Sequence, residues 1–237
     1  ARGVASEGLR VADASHHPYS LCHASLGLGG VRVRVGEFEA AITILARGLS
    51  LSEQVPLLRP PIAADLGVAL ARCGRIAEGL AQVDAAVEGA TTMGRMSRLP
   101  LLLVKCGEIH LLAGDPDEAM RLATMALSLS TEQKERGNDV YARHLLGEIH
   151  ATEAPASELA QRCFLDALKL AEGLGMRPLA AHCHAGLARH LARSGEAAMA
   201  RHHLAAAATM YREMAMRFWL VQLERDSLSL ALTPSLP

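Results

Sequence analysis

The chain has 237 residues, of which half are hydrophobic and only 3% are aromatic, and its 24 basic and 25 acidic side chains leave a formal net charge of −1. Alanine and leucine dominate, while Val, Ile and Thr are too scattered to form a sheet, so the composition predicts an all-α protein. The balanced charge provides no excess of positive side chains for phosphate backbones, which argues against a nucleic-acid partner.

The cysteines and the hydropathy pattern predict a soluble, cytoplasmic protein. The five cysteines are Cys22, Cys73, Cys106, Cys163 and Cys183. Because an odd number does not fit a disulfide framework, a reducing compartment and thiols that serve as small core residues are expected. No uncharged apolar run reaches the ~18 residues of a membrane-spanning helix, and the first residues lack the apolar core of a signal peptide. Membrane association is therefore not expected.

Small residues return along the chain with a period of 38 to 41 residues. The first column is Gly29, Gly67, Gly107, Gly147 and Ala188; the second, seven residues later, is Gly36, Gly74, Gly114, Ala154 and Gly195; the third, twelve after the first, is Ala41, Gly79, Ala119, Leu159 and Ala200. Stacked helix-turn-helix units need small residues where backbones cross, whereas a single compact core needs no such period. The columns therefore predict a helical repeat protein.

In chain order, we predict a half-repeat in residues 1–15, five helical hairpins in 16–215 and a capping helix in 216–231, together a single superhelical domain over 1–237. The first helices of the hairpins are predicted at 17–33, 58–73, 97–113, 135–152 and 178–194, and the second helices at 37–53, 75–92, 115–133, 155–174 and 196–214. Because residues 10–13 resemble the segment that precedes the fifth hairpin, we interpret the chain as a fragment of a larger multidomain protein.

Prolines mark the predicted helix starts, where the first amides have no partner within the helix. They are Pro18, Pro60, Pro61, Pro100, Pro116, Pro155 and Pro178. The clearest start is 114–118, in which Asp115 is placed to cap the free amides and Pro116 fits the first helical position.

The closing helix is predicted to cover the apolar face of the last hairpin, which has no successor in the repeat. Its predicted buried residues are Phe218, Trp219, Leu220 and Leu223, with the single tryptophan as a lid residue.

The repeat pattern, with Gly or Ala at the eighth, fifteenth and twentieth places, resembles the tetratricopeptide repeat (TPR), although its period exceeds the usual length of about 34 residues. Residues 175–184, 208–220 and the Arg-Ser-Gly-Glu turn at 193–196 resemble the carboxy-terminal TPR region of bacterial class III adenylate/guanylate cyclase proteins that carry a P-loop ATPase module. This more specific resemblance covers roughly the last fifth of the chain.

The resemblance implies a right-handed α-solenoid of TPR-like hairpins that acts as a non-catalytic regulatory or sensor module. Its partners would be a protein or peptide and the upstream catalytic domains of the same polypeptide, with homo-oligomerisation left open. The alternative is a ligand- or partner-sensing TPR domain of an ATP-dependent transcriptional regulator.

Neither catalysis nor a cofactor or metal site is predicted. The only lysines are Lys105, Lys134 and Lys169, and none follows a glycine as a phosphate-binding loop requires. His182 and His184 lie near His190, His202 and His203, but residues two apart on a helix point to different faces, so a metal site is not expected. Among the remaining titratable residues, His110 and His150 are interpreted as packed or hydrogen-bonded side chains. Glu108 and Glu148 are equivalent residues of neighbouring units, about one repeat width apart, and this spacing does not define a catalytic carboxylate pair.

The candidate binding residues follow from the TPR resemblance, which implies that fixed positions of the first helices line an inner groove. The polar and aromatic residues at these positions are His23, Arg34, Arg72, Glu108, Tyr141, His144, Glu148, His182, Arg189 and Arg193. We predict partner binding by those of the third to fifth hairpins, from Glu108 onward. Arginines at both ends and acidic residues in the middle favour a peptide or helix with complementary charges. Because groove side chains do not pack against a neighbouring repeat, reversing their charge is expected to leave the stability of the fold unchanged.

Overall fold

The computed structural model describes residues 2–94, 98–154 and 157–229, and these residues form twelve α-helices, two short 3-10 helices and no strand. The α-helices are α1 (Arg2–Ser15), α2 (Pro18–Val35), α3 (Phe38–Leu51), α4 (Arg59–Arg72), α5 (Ile76–Thr92), α6 (Leu99–Ala113), α7 (Pro116–Glu132), α8 (Arg136–Glu153), α9 (Glu158–Gly173), α10 (Arg177–Arg193), α11 (Ala197–Glu213) and α12 (Arg217–Ser229). Each predicted helix is present within three residues at either end. The all-α class and the TPR-like hairpin repeat are confirmed.

The chain divides into two compact units, Ala1–Ala119 and Met120–Pro237. In the first unit, consecutive helices from α1 to α6 pack against each other, and among the first helices α2 contacts α4 and α4 contacts α6 directly. In the second unit, consecutive helices from α8 to α12 pack in the same way, with direct contacts between α8 and α10 and between α10 and α12. The first helices of each unit therefore form a continuous layer. The single superhelical domain over 1–237 stays a prediction.

The first glycine column lies where helices cross, as predicted. A Cβ atom would stand 2.4 Å from Leu45 at Gly29 and 2.6 Å from Val83 at Gly67, distances that no real Cβ contact tolerates. These glycines allow the second helix of their own hairpin to press a large side chain onto the backbone of the first helix.

The second glycine column has a different cause, and the prediction that it marks backbone crossings is wrong. A Cβ at Gly114 would meet nothing within 4 Å, but its φ of 81° lies in the left-handed region that favours glycine. The Gly114 N–H donates to the Leu111 carbonyl and the next N–H donates to the His110 carbonyl, which closes the helix end as a Schellman motif. Ala154, which replaces glycine in the fourth hairpin, is extended instead, with φ −140° and ψ 114°.

The small residues of the third column are buried, with a shift of one residue in the fourth hairpin. Ala41, Ala119 and Ala200 are fully buried, whereas Leu159 is 55% exposed and the fully buried small residue is its neighbour Ala160. A shift of one residue in the fourth hairpin therefore explains the apparent break in the series.

Helix starts agree with the proline prediction within the described residues. Pro18 and Pro116 are the first residues of α2 and α7, and the other described prolines of the set fall in the first turn of α4, α6 or α10. The Glu118 N–H donates to Asp115 Oδ1 at 3.2 Å, which confirms Asp115 as the cap of α7. Pro155 lies outside the described residues.

The closing helix α12 packs against α11 and α10. Leu223 is buried as predicted, at 2% exposure. The other three members of the predicted set, Phe218, Trp219 and Leu220, are mostly buried, although less completely than Leu223. The Trp219 ring stands edge-on to His182 of the last hairpin, with its centroid 4.6 Å away.

All five cysteines are free thiols. Cys22, Cys106 and Cys183 are buried, as expected of small core residues, whereas Cys73 and Cys163 are half-buried. In the described part of the chain, no helix has both the length and the apolar character needed to cross a membrane.

Candidate functional site

Three helices of the second unit bring polar and aromatic side chains together on one surface. Each helix contributes two residues four or seven apart, a spacing that puts both on the same side of a helix. We call this surface the α8–α10–α12 face; its residues are His144 and Glu148 from α8, His182 and Arg189 from α10, and Trp219 and Asp226 from α12.

One row of this face consists of charges. The Arg189 guanidinium donates from Nη2 to Glu148 Oε1 at 2.6 Å and from Nη1 to Asp226 Oδ2 at 3.5 Å. The side chains are 30%, 26% and 36% exposed for Arg189, Glu148 and Asp226. Burial acts to lower the pKa of Arg189, but the two carboxylates outweigh it and the pKa is raised. The arginine therefore stays charged and links all three helices.

The second row consists of rings. The His182 ring centroid lies 6.1 Å from that of His144 and 4.6 Å from that of Trp219. His182 Nδ1 is 2.8 Å from the hydroxyl of Tyr211, which is 2% exposed and whose pKa is raised by burial. This hydrogen bond to a buried, protonated phenol holds the His182 ring in one orientation. His144 Nε2 is 3.7 Å from Glu148 Oε1 and joins the two rows.

The structure brings four of the predicted binding residues into direct proximity: His144, Glu148, His182 and Arg189. The others are placed on the expected helices but take no part in these rows. Tyr141 is half-buried on α8, Arg193 is exposed at the end of α10, and Glu108 is half-buried on α6 of the first unit.

Sequence reasoning missed three residues of the site. Tyr211 was not considered because it belongs to a second helix, and only first helices were searched for groove residues. Trp219 was interpreted as a lid residue in preference to a binding aromatic. Asp226 was not considered. A usable signal was present, because Trp219 follows His182 and Asp226 follows Arg189 by the same 37 residues. Placing α12 in register as a further first helix would have identified both.

His182 and His184 point to different neighbours, as their spacing predicts. His182 meets Tyr211, whereas His184 Nδ1 lies 2.8 Å from His203 Nδ1 on α11. Among the residues that the structure describes, no group of three or more His, Cys, Asp or Glu side chains is arranged to hold a metal ion. The α8–α10–α12 face can therefore be described in terms of ion pairing, hydrogen bonding and ring contacts.

Comparison with known proteins supports the fold alone. No family model matches the chain, and no curated protein matches it. Solved structures do match: that of BtubC (BKLC) from P. vanneervenii has a TM-score of 0.62 at 16% identity, covering 90% of this chain and 91% of that chain. A signal transduction ATPase with numerous domains (STAND) and a tetratricopeptide repeat sensor, from Pyrococcus horikoshii, has a TM-score of 0.63 at 15% identity, with 88% of this chain covered.

A third structure, a Rap protein complexed with Competence and Sporulation Factor, has a TM-score of 0.62 at 15% identity and covers 89% of this chain and 64% of that one. The present chain spans about a third of the STAND protein, of which 32% is covered. Because all these identities are low, the shared property is the TPR-like repeat architecture, on which many functions are built.

Proposed function

We propose that this chain is a protein-interaction module that binds a peptide, a helix or a partner domain along the α8–α10–α12 face. The observation that carries the proposal is the double row of charges and rings on three adjacent helices. Trp219, Arg189 and Asp226 are only partly covered, in a chain whose helices are otherwise rich in alanine and leucine. Tryptophan, tyrosine and arginine are the residues that most often dominate binding energy at protein interfaces.

Two structural neighbours are consistent with this role. The Rap structure was determined with a bound factor, and the repeat region of the STAND protein is described as a sensor. We propose that this chain likewise binds a partner and acts as a sensor, with Glu108, Tyr141 and Arg193 as further groove residues. An upstream catalytic domain of the same polypeptide would respond to partner binding. The segments at 175–184 and 208–220 favour a cyclase-ATPase signalling protein of the cytoplasm as the parent. A transcriptional regulator is the second candidate.

Charge reversal at Glu148 tests the proposal. In Glu148→Lys, a new cation stands beside Arg189, so we expect partner affinity to fall at least about tenfold, or ~1.4 kcal/mol. Stability should fall by about 1–2 kcal/mol, since the lost ion pair is partly buried. Because of this ion pair, we expect a loss of stability in place of the unchanged stability predicted from the sequence. The probe is a peptide selected on the wild-type chain from a displayed random library, with affinity measured by fluorescence polarisation and stability by urea denaturation.

Glu213→Lys is the matched control, because it makes the same reversal at the Arg177–Glu213 pair, where both side chains are more than half exposed. Peptide affinity should be unchanged in this variant. Equal affinity losses in the two variants would indicate a non-specific charge effect, and an unaffected Glu148→Lys would place the binding surface elsewhere.

A further inference from the structure

Two histidines join the helices of the last hairpin on a part of α10 separate from the α8–α10–α12 face. His184 of α10 and His203 of α11 approach with their Nδ1 atoms 2.8 Å apart and their ring centroids 5.1 Å apart. A neutral imidazole carries one N–H and one acceptor nitrogen, so at this distance one ring donates and the other accepts. Both side chains are half-buried.

The surroundings of this pair offer little compensation for added positive charge. From α9, Glu172 Oε1 lies 4.0 Å from His184 Nε2, but the Glu172 side chain is 62% exposed. From α11, the His202 ring centroid is 5.4 Å from that of His203. The carboxylates that α8 and α12 turn toward α10, those of Glu148 and Asp226, are engaged by Arg189.

The two possible protonation steps differ in their effect. The first proton can bind the outer nitrogen of the donating ring, which leaves the N–H···N bond in place and makes it charge-assisted. The second proton must bind the accepting Nδ1 itself. That step removes the acceptor, so the hydrogen bond is lost and two imidazolium rings face each other at contact distance.

We infer that the His184–His203 pair is a pH-sensitive lock between α10 and α11, which is closed while at most one ring is protonated and is opened by the second proton. The inference goes beyond the proposed function, but it bears on the same surface. His182 and Arg189 lie on α10, and Tyr211, which orients His182, lies on α11. Opening the lock would loosen the hairpin that presents these side chains.

The direction of the pH effect follows from the pKa values. Burial, followed by the charge of His202, lowers the pKa of His184; burial together with the His184 and His202 charges lowers that of His203 to about 4. In the unfolded chain a histidine has a pKa of about 6.5. As the pH falls, the unfolded state therefore takes up protons first. The stabilisation is complete above about pH 6.5 and is lost as the pH falls toward 4.

Thermal melts of the whole chain at about pH 7.5 and about pH 5 test the inference. In His203→Asn, an amide replaces the ring nitrogen and cannot titrate, so we expect the wild-type melting temperature to fall by about 3 °C more than that of the variant between the two pH values. His202→Asn is the matched control: it removes one exposed histidine of the same helix and should keep most of the acid sensitivity, because burial, the larger cause of the lowered pKa values, remains. Equal losses in wild type and His203→Asn would overturn the inference.

Histidine ring NMR of the wild-type chain gives a second readout that does not depend on any variant folding. The expected result is that one neutral ring of the pair carries its N–H at Nδ1 near neutral pH, and that His203 titrates well below the value of about 6.5 for a free histidine. A His203 ring that titrates near pH 6.5 would also overturn the inference. Neither measurement uses a partner, so its failure would leave the proposed binding function untouched.

Discussion

Replacing Gly147 with Leu is expected to lower the free energy of unfolding by about 3 kcal/mol, the upper end of the usual cost of overpacking a core. A Cβ atom at Gly147 would lie 2.7 Å from Cδ1 of Phe164. Phe164 is fully buried, and its ring also lies against Gly186, where a Cβ would stand 2.5 Å from Cε1. Because the ring is held from two helices, it cannot retreat from the new side chain.

Gly137→Ala provides the matched control on the same helix. A Cβ at Gly137 meets nothing within 4 Å, so this variant should keep its stability or gain up to about 1 kcal/mol from the better helix propensity of alanine. Urea denaturation of both variants measures the difference. If Gly147→Leu were as stable as the wild-type chain, the packing explanation of the first glycine column would be refuted.

A chain that ends at Ala215 is expected to be less stable by about 4 kcal/mol and to self-associate. The truncation removes Met216 and Leu223, which are 1% and 2% exposed, and uncovers the apolar surfaces of α10 and α11 on which they pack. Burial of each such side chain is worth about 1.5–3 kcal/mol, and a newly exposed apolar surface favours association.

Light scattering coupled to size exclusion measures the association, and denaturation measures the stability. A chain that ends at Ser229 is the control, because it keeps the whole of α12 and should behave as the full chain does. A monomeric and equally stable chain ending at Ala215 would show that α12 does not act as a cap.

The helices were predictable because three kinds of local signal agreed: proline at helix starts, small residues at crossings and the repeat period. The cause of each small residue was not predictable. Gly67 and Gly74 look alike in sequence, yet the first allows close packing and the second a left-handed turn with φ 84°. Lys134 and Ala215 adopt the same left-handed conformation without glycine, at φ 57° and 54°, so composition alone did not mark these turns.

The sequence could predict those residues of the candidate site that occupy groove positions of the first helices. His144, Glu148, His182 and Arg189 were found because they occupy such positions. Their mutual contacts depend on how neighbouring helices pack, and a sequence with a varying period of 38 to 41 residues does not specify that register. The ion pair between Glu148 and Arg189 was therefore missed, and with it the stability cost of reversing either charge.

The position of Phe164 has a consequence for how the second unit unfolds. In repeat proteins, cooperativity arises from nearest-neighbour interfaces between units that are only marginally stable alone. Here a single side chain of α9 fills the space beside Gly147 of its own hairpin and Gly186 of the next, so this ring is shared by the fourth and fifth hairpins. Shortening that ring is therefore expected to lower the cooperativity of unfolding as well as the stability, because one change weakens both hairpins and the interface between them.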